Sequence, residues 1–178
     1  MRAFISIELS EKAKKEVERV SKLIYDSDII RGKFVEPENL HLTSKFLGEL
    51  SEIEVDKVKK ALGKLNFKKF KVRLKGAGFF SPSFVRVLWI GLEGEQLEKL
   101  QIEIDNILAD IFPREKRMSS HVTVARVKKI RDKPSFIDFF NNLKVNEIEF
   151  EVSEVKFRKS TLTEKGPFYE DILKIKLK

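Results

Sequence analysis

His41-Leu42-Thr43-Ser44-Lys45-Phe46-Leu47 and, eighty positions on, His121-Val122-Thr123-Val124-Ala125-Arg126-Val127 are the two stretches on which the reading of this chain turns. They contain the only two histidines of the protein. Each histidine is followed two residues later by a threonine, and the whole chain has only four threonines, at 43, 123, 161 and 163. Both stretches favour β-structure. Successive side chains of a strand alternate faces, so an imidazole and a hydroxyl two residues apart point the same way. Two such strands laid together bring two imidazoles and two hydroxyls into one small volume.

The flanking sequence repeats as well. Ala3, Ile5, Ile7 and Leu9 alternate with other residues in an opening strand, and Ser10 is placed to cap a helix whose apolar stripe is Ala13, Val17, Val20, Leu23 and Ile24. From Phe84 the pattern resumes. Val85, Val87 and Trp89 alternate, and Leu97, Leu100, Ile104, Ile107, Leu108 and Ile111 then mark a helix from about 95 to 112. Phe4 precedes His41 by the same interval that separates Phe84 from His121. The order in both halves is strand, amphipathic helix, basic turn, histidine strand. This predicts an α+β fold of two pseudo-symmetric lobes, with antiparallel sheets flanking a central cleft and helices outside. It would be a single bilobal domain over 1–178, in approximate halves 1–80 and 81–178, with room for the termini to cross between lobes.

The remaining elements follow local signals. Ser51 and Glu54 make a capping box for a helix with Val55, Val58, Leu62 and Leu65 on its core side. A strand is expected over 71–80, a short helix over 134–143, and a strand ending the chain from about 169. The apolar phase shifts between Val152 and Val155, which predicts a bulge near Ser153.

Composition narrows the function. The chain has no cysteine, so disulfides, thiolate catalysis and cysteine-bound zinc are excluded. No apolar run is long enough to cross a bilayer, and the amino terminus lacks a signal-peptide core, so a cytoplasmic location is expected. A formal charge of +8 points to a polyanionic partner. The nine Lys and Arg residues between Lys57 and Lys75, with no acid among them, form a candidate phosphate track.

Two imidazoles facing one substrate atom suit general acid–base chemistry near neutral pH, one taking a proton while the other gives one. Threonine hydroxyls can hold phosphate oxygens between them. Neither histidine has an acidic or cysteine ligand at metal-motif spacing, and no Gly-x-Ser-x-Gly elbow supplies a serine nucleophile.

The two motifs in their HLTSKFLGE and SHVTVAR contexts, with the opening MRAFISIEL and the closing STLTEKGPFY, resemble the 2H phosphoesterase superfamily. More narrowly they resemble its RNA 2',3'-cyclic phosphodiesterase group, also called 2'-5' RNA ligases. The resemblance covers nearly the whole chain. It implies opening of a terminal 2',3'-cyclic phosphate on RNA to a 2'-phosphate without metal or nucleotide cofactor. In that reading His41 is the proton donor to the departing 3' oxygen, His121 is the proton acceptor that activates water, and Thr43 and Thr123 hold the phosphate. Arg126 matches a phosphate-binding position and Phe46 one near the nucleobase, while Tyr169 and Ser160 lie in the C-terminal signature. By strict alternation, however, Arg126 points away from His121, so a bulge or strand end must intervene if it reaches the site, and Phe46 belongs to the core. Ser44 stands where many relatives are apolar, on the face away from the histidines. The resemblance also implies RNA as partner, including tRNA halves joined through a 2'-5' linkage, and the chain is expected to be monomeric. Two other readings stay open: a 2H enzyme of small cyclic nucleotides, and an RNA-binding module without catalysis.

Overall fold

The computed structural model describes residues Met1–Lys178. Its elements run β1 (Arg2–Glu8), α1 (Glu11–Ser27), β2 (Ile30–Phe34), β3 (His41–Glu49), α2 (Glu52–Leu62), β4 (Phe70–Phe79), β5 (Val87–Glu93) and α3 (Glu95–Ile107). They continue with β6 (His121–Ile130), α4 (Lys133–Asn142), β7 (Glu149–Val152), β8 (Glu154–Thr163) and β9 (Gly166–Lys176). The fold is α+β. All paired strands are antiparallel, in the order β7-β4-β5-β6-β3-β1-β8-β9, with β2 added to β6. The two sheets expected from the sequence thus meet along β3 and β6 as one.

Read outward from β6 and β3, the order is pseudo-symmetric: β5 answers β1, and β4 answers β8. The outer strands are exchanged between the sequence halves. β4 pairs with β5 and β7, whereas β8 pairs with β1 and β9. The expected bulge at Ser153 is a change of partner. β7 and β8 lie toward opposite ends of the strand order, yet only Ser153 separates them. One residue spans about 3.5 Å, so the sheet must curl until its ends meet. Hydrogen bonds from Leu177 N to Ser153 O, 2.8 Å, and from Lys178 N to Phe67 O, 2.9 Å, hold that closure.

The helices form where caps and stripes direct. Ser10 accepts from Ala13 N, and Ser51 with Glu54 makes the full capping box. Ala13, Val17, Val20 and Ile24 are buried, while Leu23 is exposed. α1 packs on β2 and β6, and α3 on β3 and β4. The core lies between the helices and one face of the sheet. No helix is long and apolar enough to cross a membrane.

The second unit begins later than the 37-residue interval implies. Residues 81–86 are a turn, and β5 starts at Val87. Phe4 pairs with Phe46, and the position answering it is Val87, which pairs with Arg126. The intervals differ because β2 is inserted between α1 and β3, with no strand between α3 and β6.

Candidate active site

β3 and β6 meet at one register pair, Leu42 and Val122, both fully buried on the helix side. Counting outward along this antiparallel pair, His41 stands opposite Thr123 and Thr43 opposite His121. The four side chains share the other face. Diagonal neighbours of this kind lie about 7–8 Å apart, close enough for two imidazoles to flank one phosphate. A single bridge between the duplicated units therefore gathers both His-x-Thr motifs.

The two strands then bulge at equivalent places. Ile5 pairs with Lys45 and Ser6 with Thr43, leaving Ser44 as the extra residue of β3. Leu88 pairs with Ala125 and Trp89 with Thr123, leaving Val124 extra in β6. An extra residue reverses the alternation beyond it. Ser44 and Lys45, like Val124 and Ala125, are consecutive buried residues, and Phe46 and Arg126 emerge on the histidine face. The expectation that Phe46 belongs to the core is thus overturned, since it is 67% exposed. Arg126 lies close enough to the Tyr169 hydroxyl for its charge to act on it.

The two imidazoles are held differently. His41 Nδ1 lies 2.7 Å from the Asn39 carbonyl, which accepts only, so Nδ1 carries a hydrogen. That leaves Nε2 toward Thr43 Oγ1, at 2.9 Å. The ring stacks on Phe4 at 5.0 Å and meets the edge of Tyr169 at 5.4 Å. Burial, with the nearby Arg158 and Lys14 charges, lowers its pKa to about 4. His121 Nδ1 pairs with Ser119 Oγ at 2.9 Å, leaving Nε2 without a protein partner. Phe80 lies edge-on to this ring at 5.2 Å and Trp89 tilted at 6.4 Å. Burial lowers the His121 pKa below 6.5. Both imidazoles are therefore neutral at pH 7 in the free protein, each with Nδ1 tied to the protein.

The family model for LigT-like phosphoesterases matches the chain twice, at residues 7–89 and 90–169, with one histidine strand in each match. The chain belongs to the LigT-like phosphoesterase family. It is a phosphoesterase, and so a hydrolase. It is 39% identical over 176 residues to the RNA 2',3'-cyclic phosphodiesterase of Methanocaldococcus jannaschii, covering 97% of this chain and 98% of that one. It is 34% identical to the protein of the same name from Archaeoglobus fulgidus, with the same coverage. The crystal structure of TT0787 from Thermus thermophilus shares its fold, with a TM-score of 0.84 at 23% identity over 99% of this chain and 97% of that one.

Several neighbours of the site in this LigT-like phosphoesterase gave no signal in the sequence. Arg158 reaches from β8, donates to Glu8 Oε1 at 2.8 Å and lies 2.9 Å from Asp171. Its guanidinium sits 5.5 Å from the Tyr169 ring. Phe4 and Trp89 read as ordinary strand residues, yet each packs against a histidine. Trp89 fits because Gly78 has no Cβ, which would fall 2.7 Å from the indole. Ser160 pairs with Tyr169 across β8 and β9. Asn39, which fixes the His41 tautomer, also donates to Pro167 O at 3.1 Å and so ties the β8–β9 turn to the site.

Four of the nine cations between Lys57 and Lys75 are engaged with the protein itself. Lys59 pairs with Asp56, Lys71 with Glu149, Arg73 with Glu93 and Glu147, and Lys75 with Glu93. Lys57, Lys59 and Lys60 belong to α2, which packs against α3.

Proposed function

We propose that this phosphoesterase opens the 2',3'-cyclic phosphate at an RNA end to a 2'-phosphate, and that His41, Thr43, His121 and Thr123 are the residues that do it. The observation that carries the reading is the Leu42–Val122 bridge, which puts two imidazole–hydroxyl pairs on one face. The activity in the names of the two archaeal relatives is the reaction such a pair suits. Water deprotonated by His121 attacks phosphorus, the bond to the 3' oxygen breaks on the far side, and His41 delivers a proton to that oxygen. Thr43 and Thr123 donate to the phosphate oxygens, with Arg126 and Arg158 supplying positive charge. Neither histidine belongs to a cluster of three metal-ligating side chains, and the proposed reaction uses no metal. With a 5'-hydroxyl in place of water as the nucleophile, the same displacement joins two RNA pieces through a 2'-5' linkage and frees the 3'-hydroxyl; its reverse cleaves that linkage back to the cyclic phosphate. In this reading the site lies where the two histidine strands meet, at the Leu42–Val122 pair.

The test is a short RNA ending in a 2',3'-cyclic phosphate, incubated with the protein and EDTA, with the product terminus identified. A 2'-phosphate is expected. A 3'-phosphate would reverse the leaving group, and activity lost to EDTA and restored by zinc would overturn the metal-free mechanism. Turnover of nucleoside cyclic phosphates with none of RNA would favour the small-nucleotide reading.

The pH profile follows from the two lowered pKa values. The reactive form has one imidazole protonated and the other neutral, so kcat/KM falls on either side of the pair of free-protein values. The acid limb is expected near pH 4, from His41, and the alkaline limb below pH 6.5, from His121. Above 6.5 both rings are neutral, the donor is deprotonated, and kcat/KM should fall about tenfold per pH unit. The profile of kcat should lie higher, because a bound phosphate anion favours the protonated donor. A kcat/KM plateau reaching pH 8 would contradict this.

A further inference from the structure

We infer that the strand pair β2–β6 forms a track for the body of the RNA, leading away from the cyclic-phosphate site, so that the substrate is a polynucleotide rather than a mononucleotide. The inference rests on the cyclic-phosphodiesterase reading above and extends it beyond the terminal nucleotide.

The register of these strands is unusual in its charges. Lys33 of β2 stands opposite Arg126 of β6, and Arg31 opposite Lys129. Like charges directly opposite one another destabilise a sheet, and here two such pairs follow in succession. All four side chains are exposed, and none meets a carboxylate within ion-pair distance. The next cation along, Arg131, does find one, Asp28 at 3.1 Å. On the β4 surface, by contrast, Lys71, Arg73 and Lys75 are all neutralised. The uncompensated repulsion on β2–β6 gives the fold nothing; it suits an anion supplied from outside.

The geometry connects these charges to the site. The bulge at Val124 puts Arg126 on the histidine face, and Lys33 is its partner across the strands. Phe34, the next residue, packs on Tyr25 of α1, so Lys33 faces away from the helices. The Lys33 ammonium reaches the β8–β9 turn, 3.3 Å from where a Cβ on Gly166 would stand. Arg31 and Lys129 lie one step further out. Two residues of strand are about 7 Å, a step that matches successive phosphates of an extended single strand. Gly32 holds this arrangement together: a Cβ there would fall 2.2 Å from Arg126 O, so only glycine lets β2 close on β6 between the two cation pairs.

The experiment uses the double variant Arg31→Glu/Lys129→Glu, at the far end of the track. Both residues are exposed, and circular dichroism with a melting curve establishes that the variant folds. Hydrolysis of a nucleoside 2',3'-cyclic phosphate is compared with that of an oligonucleotide of about ten residues ending in the same group, and binding of the 2'-phosphate oligonucleotide product is measured by anisotropy across a salt series. Expected results are unchanged turnover of the mononucleotide, a fall of tenfold or more in kcat/KM for the oligonucleotide, and a log Kd against log salt slope shallower by about one to two. Equal losses on both substrates, or oligonucleotide binding and salt slope unchanged, would overturn the track. If the unaltered protein hydrolyses neither substrate, the cyclic-phosphodiesterase reading fails, and the binding series still decides whether the track holds nucleic acid.

Discussion

Replacing His41 or His121 is expected to lower kcat/KM for cyclic-phosphate opening by about two to four orders of magnitude, with the fold intact. The size follows from what each ring does. Loss of His121 leaves water to attack without a base, and loss of His41 leaves the 3' oxygen to depart as an alkoxide. His41→Ala also removes a ring stacked between Phe4 and Tyr169. His41→Gln and His121→Gln are therefore the cleaner variants, because an amide fills much of the space and keeps a hydrogen bond. The double variant should lose less than the product of the two single losses, since a donor without its acceptor already works poorly. Binding separates catalysis from recognition. Both variants should bind the 2'-phosphate product within severalfold of the unaltered protein, because the threonines and arginines remain. If single variants kept a tenth or more of the activity, the paired-imidazole mechanism would be untenable. A protein with no turnover to lose, and unimpaired binding in both variants, would be the non-catalytic module.

How much of this site could be read from the sequence depended on how local each cause was. His41 and Thr43 share a face because of period-two alternation, which needs only neighbouring residues, and the same holds for His121 and Thr123. The caps at Ser10 and Ser51 are equally local. Phe46 was misplaced because one extra residue, Ser44, reverses parity, and nothing apolar in Ser44-Lys45 announces that both point inward. In β6 the same bulge falls on Val124-Ala125, where two small apolar residues conceal it. Ser153 was read as a bulge because its phase shift is visible, whereas the exchange of partners it marks depends on strands far away in the chain. Arg158 could not be linked to His41, because their neighbourhood is created by pairings between β1, β3 and β8. The cationic segment 57–75 is conspicuous by composition, yet the cations of its β4 part, Lys71, Arg73 and Lys75, are paired with carboxylates that include Glu93 of β5 and Glu149 of β7. The less conspicuous cations of β2 and β6 are the ones that stand directly opposite one another across two strands.

Lys45 is where the hidden bulge has its largest energetic consequence, and Lys45→Met is expected to destabilise the fold by about 3–5 kcal/mol. Its ammonium is buried, 3% exposed, against Asp105, itself 6% exposed, at 2.6 Å. It also donates to Pro113 O at 2.9 Å and lies 3.4 Å from Glu115. Methionine fills the volume but strands the Asp105 charge in a dry site, which is the costly way to break such a pair. For a chain of this size the loss corresponds to a fall in melting temperature of about 6–20 °C. Lys45→Met/Asp105→Leu should recover much of it, because neither charge is then left behind. Recovery should be incomplete, since Asp105 also accepts from Glu115 N at 3.1 Å and that donor would lose its partner. Activity adds a second readout. The pair anchors residues 113–115, which lead into Ser119 and His121, so the double variant should fold well yet show a lowered kcat from a less firmly held base. A melting temperature unchanged in Lys45→Met would mean that the ammonium is solvated and that the buried pair does not form. A stable double variant with full kcat would mean instead that the pair supports the fold without helping to hold His121.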